Sequence, residues 1–187
     1  MIKIAVVGDT DVGKSSLVSR FVNRRKEPIV SHTVGVDVTT TTIHVYNKIH
    51  HVKFFDLTGT YGYESLYDQY LKNAASIVVV YDITKFKTFV RAKHFVDKIV
   101  KMHGVEYPII LVGNKMDDVS RRRVDMSKAL GFVKGKANTF FIETSAKCGT
   151  STTDCLKMLV TEADRNRTYT VNRFVEDEKS PSGCNIV

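Results

Sequence analysis

Gly8-Asp9-Thr10-Asp11-Val12-Gly13-Lys14-Ser15 fits the pattern G-x-x-x-x-G-K-[ST] at each of its defined positions. A polyphosphate asks for several converging backbone N–H donors, and a tight glycine-bearing loop at a helix N-terminus supplies them. In such a loop Lys14 reaches the β- and γ-phosphates and Ser15 ligates Mg²⁺. The flanks suit the motif. Before it, Ile2 to Val7 is short, apolar and β-branched, which reads as a buried strand. After it, Leu17, Val18, Phe21 and Val22 recur at helical spacing.

Further along, apolar runs alternate with helix-period stretches. Val36 to Tyr46 and His51 to Phe55 flank Asn47-Lys48 and read as a hairpin. Leu66, Tyr67, Tyr70, Leu71 and Ala74 suggest a helix, and Ile77 to Tyr81 a buried strand. Phe89, Ala92, Phe95, Val96, Ile99 and Met102 form a helical stripe closed by Gly104. Pro108 to Val112 and Thr139 to Ile142 read as two more strands, and Cys155, Leu156, Leu159, Val160 and Ala163 as a last helix. Strand–helix alternation of this kind predicts an α/β domain with a mostly parallel sheet. From about Arg165 the pattern decays into polar residues, so a G-x-x-x-x-G-K-[ST] domain over 1–165 and a flexible tail over 166–187 are expected.

Bulk properties narrow the class. At 187 residues the chain is one domain on length, and it can bury enough surface to fold without covalent staples. With 43% hydrophobic and 26% charged residues it is neither disordered nor fibrous. No apolar run approaches the roughly 20 residues of a membrane-spanning helix, and the opening Met1 to Val7 is too short for a signal peptide. Cys148, Cys155 and Cys184 are odd in number and unpatterned, which predicts a reducing cytoplasm. The net charge of +8 suits nucleic acid or anionic lipid, but a solvated basic surface is the simpler reading, and no nucleic-acid partner is expected.

Two further motifs follow strands. Asn114-Lys115-Met116-Asp117 comes after Ile109-Ile110-Leu111-Val112-Gly113, and Ser145-Ala146-Lys147 after Thr139-Phe140-Phe141-Ile142. With these in order behind the phosphate loop, the chain resembles a small GTPase of the Ras superfamily over about residues 1 to 165. The resemblance implies a P-loop NTPase G-domain: a six-stranded mostly parallel sheet with one antiparallel edge strand and helices on both faces. It gives Asp117 the guanine N1–H and exocyclic amine, with Asn114 and Lys115 in support. Ala146 would donate through its backbone to the guanine oxygen, flanked by Ser145 and Lys147. Adenine lacks that donor pair, which a carboxylate would therefore reject. Asp11, Val12, Gly13, Lys14, Ser15 and Ser16 become the phosphate contacts. Thr33 matches the switch threonine that completes Mg²⁺ coordination in the triphosphate state. Phe55-Asp56-Leu57-Thr58-Gly59 matches a W-D-T-A-G segment, in which Asp56 holds Mg²⁺ through water and the Gly59 amide bonds the γ-phosphate. The T-x-G-V-D form of Thr33 to Asp37, with Tyr81-Asp82-Ile83-Thr84, is most similar to the Rab branch.

Departures from the family pattern change the mechanistic expectation. The water-positioning glutamine is replaced by Thr60, which has no amide to orient an attacking water. Asp11 stands where glycine is usual, and a carboxylate beside a polyphosphate adds repulsion that speeds nucleotide loss or demands compensation. Lys26 occupies the place of an aromatic that packs on guanine, while Val38 and Phe55 replace Phe and Trp on the effector face. With Lys14 and Thr60 as its catalytic candidates, the chain is expected to be a slow GTP/GDP switch in vesicle traffic. The alternative is a GTP-bound interaction scaffold with little or no hydrolysis. A P-loop kinase or ATPase fits less well, because N-K-x-D and S-A-K occur together.

The chain ends Cys184-Asn185-Ile186-Val187, a C-a-a-X form that makes Cys184 a prenylation candidate. Glu176, Asp177 and Glu178 oppose a polybasic second signal, so reversible attachment to the cytosolic face of a membrane is expected. The implied partners are guanine nucleotide, a prenyltransferase, and effector, exchange factor and activating protein at the switch regions, all meeting a monomer. Elsewhere, His50 and His51 point to opposite faces of a strand and cannot chelate one ion. Arg121-Arg122-Arg123 reads as a solvated run and Cys155 as core packing.

Overall fold

A computed structural model describes residues 1–23, 35–59 and 64–179, with side chains described outside 64–66 and 167–179. In chain order the elements are β1 (Ile2–Gly8), α1 (Lys14–Asn23), β2 (Val36–Val45), β3 (Lys48–Leu57), α2 (Glu64–Lys72) and β4 (Ser76–Asp82). They continue with α3 (Phe86–His103), β5 (Ile109–Asn114), a 3-10 turn over Met116–Arg121, α4 (Met126–Lys134), β6 (Thr139–Glu143) and α5 (Thr152–Lys179). The sheet runs β2-β3-β1-β4-β5-β6. Five strands are mutually parallel, and β2 alone is antiparallel, paired with β3. The expected architecture is the one found.

The β2–β3 connection is a two-residue turn at Tyr46-Asn47, both at positive φ (46° and 61°), with Val45 paired to Lys48. Positive φ at both central residues is the type I′ geometry whose twist matches paired strands. The turn therefore sits one residue earlier than the sequence predicts.

Strand alternation divides the core between two layers. On one face Val7, Leu57, Val79, Tyr81 and Leu111 meet Tyr67 of α2, Phe89, Phe95 and Val96 of α3, and Ala129 of α4. On the other, Ile4, Val6, Phe54, Val78 and Val112 meet Leu17 and Phe21 of α1 and Cys155, Leu159 and Val160 of α5. Both faces of the central strands are covered, which is why they read as unbroken apolar runs. Each fully buried Val or Ile there contributes about 1.5–3 kcal/mol. Cys155 is core packing as expected, and burial pushes its thiol pKa far above the ordinary range.

Two features differ from the sequence expectation. The last helix does not stop at Arg165 but continues to Lys179. No glycine or proline interrupts residues 152–179, so the backbone stays helical after its apolar stripe has ended. Asn166 also belongs to the packed body, donating through Nδ2 to the Ala75 carbonyl at 3.0 Å. The second difference concerns Arg121-Arg122-Arg123, which is not a uniformly solvated run. Arg122 forks onto Glu143 through Nη1–Oε1 (2.6 Å) and Nη2–Oε2 (2.7 Å), and Glu143 is buried. This pairing raises the guanidinium pKa and ties the loop after β5 to β6.

Candidate functional site

Ligands of open parallel sheets gather beyond the carboxyl ends of the strands, where neighbouring connections diverge. Here β1 lies between β3 and β4, and the loop leaving β1 opens at that point. Asp11 (φ 63°) and Gly13 (φ 94°) adopt left-handed backbone, and the Gly13 carbonyl accepts Leu17 N at 2.9 Å to start α1. A Cβ on Gly13 would come within 2.4 Å of Asn114 Nδ2. Lys14 is only 6% exposed, and its Nζ donates back to the Asp9 carbonyl at 2.8 Å, closing the loop over itself. Burial lowers the Lys14 pKa, while the charges of Asp56, Asp9 and Asp11 oppose that fall. Val12 is buried beneath the loop, Ser15 is half-buried on the first turn of α1, and Ser16 is exposed.

Asp56, near the carboxyl end of β3, is 2% exposed and registers opposite Val6 of β1 and Asp37 of β2. The chain after β3 presses on the phosphate loop. A Cβ on Gly59 would lie 2.4 Å from Thr10 N and 2.6 Å from the Asp9 carbonyl oxygen, so only glycine fits. Thr58 N donates to the Gly35 carbonyl at 2.9 Å, and the buried Tyr67 hydroxyl donates to the Thr58 carbonyl. A buried ammonium, a loop turned by left-handed Asp11 and Gly13, and oxygen ligands from Ser15 and Asp56 fit a polyphosphate with a hard divalent cation. Thr33, Lys26, Thr60 and Cys184 lie outside the described residues.

A second group assembles at the ends of β5 and β6. Asn114 (2% exposed) donates through Nδ2 to the Val12 carbonyl at 2.8 Å. Its Oδ1 accepts Ala146 N at 3.0 Å and Thr144 Oγ1 at 3.3 Å. One amide thus bridges all three motifs. Lys115 is left-handed (φ 70°), and its Nζ pairs with buried Asp82 Oδ2 at 2.8 Å. Against the desolvation of burial, bonds from Lys115 and Thr84 hold the Asp82 carboxyl below the usual range. Ser145 Oγ donates to Asp117 Oδ1 at 2.6 Å, and Lys147 Nζ stands 3.7 Å from Asp117 Oδ2. Ser145 Oγ also accepts Cys148 N at 3.0 Å. The Asp117 carboxylate is thereby aimed from one side and carries lone pairs for a second donor group.

Several residues of this neighbourhood are not singled out by the sequence. Arg20 of α1 reaches the last loop, donating to the Ala146 and Lys147 carbonyls at 3.2 and 2.8 Å. Arg91 of α3 contacts Asp9 at 2.6 Å. Both partners lie far along the chain, where spacing carries no signal. Asp82 stands in the Tyr81-Asp82-Ile83-Thr84 stretch, which read only as a mark of the Rab branch.

The fold and the three grouped motifs define a P-loop nucleotide-binding domain. A sequence model of the Ras family matches residues 3–165, and the chain belongs to that family. It is 35% identical to Ras-related protein Rab-22A of dog and of human over 147 residues, 78% of this chain and 75% of each relative. It is 34% identical to tobacco Ras-related protein Rab5 over 152 residues, 81% of this chain and 76% of that protein. The protein is a Rab-like small GTPase, and its family membership implies guanine-nucleotide binding and GTPase activity. No helix among the described residues is long and apolar enough to cross a membrane.

Proposed function

We propose that this protein is a GTP/GDP switch of vesicle traffic that hydrolyses GTP slowly and associates reversibly with a membrane. The observation that carries the reading is the Asn114 bridge, which locks the phosphate loop to the two loops that would read the base. Asp117 accepts from guanine N1–H and the exocyclic amine, oriented by Ser145. The Ala146 amide bonds the guanine oxygen, and Lys115 and Lys147 flank the base. Lys14 and the loop amides of Asp11 to Ser16 hold the phosphates. Ser15, Thr33 and Asp56 would hold Mg²⁺, which when bound neutralises phosphate charge.

Water attacks the γ-phosphorus in line as the bond to the β–γ bridging oxygen breaks; GDP leaves with that oxygen, the water's proton passes to the released phosphate, and Lys14 and the Gly59 amide offset charge on the transferring oxygens. Thr60 has no amide with which to orient that water, which is the basis for the slow rate. The same residue favours a second reading, a GTP-bound scaffold. Residues 1–165 carry the nucleotide chemistry, and the remainder of the chain carries Cys184 to a prenyltransferase and then to lipid. A single prenyl chain without a polybasic neighbour exchanges between membrane and cytosol. The switch regions would meet effector, exchange factor and activating protein, with the chain a monomer.

Single-turnover hydrolysis of bound GTP, with and without an arginine-donating partner, tests the proposal. A slow parent that Thr60→Gln accelerates about 10-fold, or about 1.4 kcal/mol of barrier, supports the switch. No hydrolysis in the parent under either condition favours the scaffold.

A further inference from the structure

The phosphate loop carries two carboxylates, Asp9 and Asp11, beside the place where a polyphosphate would sit. Asp9 is part-buried. Its Oδ1 accepts Thr10 N at 2.8 Å and lies 2.6 Å from Arg91 Nη1, with the two side chains 16% and 10% exposed. Arg91 stands on α3, on the face that carries buried Thr88 and Phe95, and its guanidinium lies 5.8 Å from the centre of the Phe95 ring. Phe95 in turn packs on Tyr67 of α2, whose hydroxyl holds the Thr58 carbonyl.

Asp9 also faces the ligand side. Its carbonyl accepts Lys14 Nζ at 2.8 Å, and the Gly59 backbone rests against that same carbonyl. A single residue therefore joins the α3 guanidinium to the ammonium that would meet the phosphates. Arg91 is close enough for its charge to act on Lys14.

We propose that Arg91 is a positioning residue for the nucleoside polyphosphate. It cancels the Asp9 charge and, through Asp9, holds the phosphate loop in its receiving shape, so that a loop with two carboxylates retains a triphosphate. This rests on the nucleotide-binding reading above. Removing one partner of a buried pair leaves an uncompensated charge, whereas removing both does not. Because GTP brings more negative charge than GDP, the loss must be larger for GTP.

The test is the dissociation rate of fluorescent GDP and of a fluorescent non-hydrolysable GTP analogue from the full chain with Mg²⁺. Arg91→Met is expected to speed loss of the GTP analogue at least 10-fold and loss of GDP less. Arg91→Lys, which keeps the charge, is expected to lose less than Arg91→Met. Adding Asp9→Asn to Arg91→Met is expected to slow loss again by threefold or more, since Asn retains the acceptor for Thr10 N. Should Arg91→Met fail to fold, the double variant is compared with Asp9→Asn alone, and less than threefold between them supports the proposal. A parental rate in Arg91→Met, equal losses of both nucleotides without rescue, or a tenfold gap between the double variant and Asp9→Asn would each overturn it. A parent that binds no guanine nucleotide would sink the nucleotide reading instead.

Discussion

Asn114→Ala removes a side chain that joins all three motifs. Three bonds go at once: to the Val12 carbonyl (2.8 Å), from Ala146 N (3.0 Å) and from Thr144 Oγ1 (3.3 Å). Val12, Ala146 and Thr144 are all buried, so water does not readily replace the lost partner. A buried group left unsatisfied costs about 1–3 kcal/mol, and relaxation keeps three such losses short of simple addition, so the total is about 3–6 kcal/mol. Part of this appears as lower stability and part as weaker nucleotide retention. Assigning about half to retention predicts GDP dissociation faster by about 10- to 100-fold, at roughly 1.4 kcal/mol per decade. Asn114→Asp keeps the acceptor for Ala146 and Thr144 but loses the donor to Val12, and is expected to fall between. Stopped-flow displacement of fluorescent GDP, with thermal melts in saturating GDP, reads both parts. A dissociation rate within about threefold of the parent, with an unchanged melt, would refute the bridging argument.

Arg122→Ala leaves buried Glu143 without its fork and should cost about 3–5 kcal/mol. Melting should drop by about 6–20 °C, while pairing it with Glu143→Leu should recover much of the loss. His103 stacks on Tyr107 at 4.1 Å between centroids, and burial holds its pKa below the ordinary 6.5 against a bond to the Leu71 backbone. A lowered folded pKa means that its contribution is complete above about pH 6.5 and is lost as pH falls through the folded value. The urea midpoint should decline from pH 7.5 to 5.5, and His103→Gln should flatten that decline. Ser15→Asn should weaken triphosphate binding by about 1.5–3 kcal/mol and diphosphate binding by less, measured by titration with and without Mg²⁺.

The sheet was readable because its central strands are buried on both faces, and runs such as Ile77 to Tyr81 need no alternation to stand out. Helix α4 leaves no comparable signal in the sequence, for a complementary reason. It is short, only Ala129 and Val133 are buried, and exposed Met126 and Leu130 blur its apolar period. The phosphate, base and metal candidates were legible as local motifs, since each is a contiguous stretch with its own spacing. What those motifs do to one another was not. The Asn114 amide meets Val12 at a separation of 102 residues, and Arg91 meets Asp9 at 82. Such contacts arise from strand order and helix docking, which no short spacing encodes. The Arg121-Arg122-Arg123 run reads as solvated for the same reason, because Glu143, the partner of Arg122, lies 21 residues away at the end of β6.

Guanine selectivity through Asp117 is the claim on which the rest depends. Two charge-assisted hydrogen bonds from guanine to Asp117, each about 1.5–3 kcal/mol, would give about a 10²- to 10⁴-fold preference over adenine. Competition of GTP, ATP and XTP against fluorescent GDP measures it in the parent and in Asp117→Asn. GTP is expected to be favoured over ATP by at least about 100-fold in the parent, with preference shifting toward XTP in the variant. Equal affinity of the parent for ATP and GTP would contradict it.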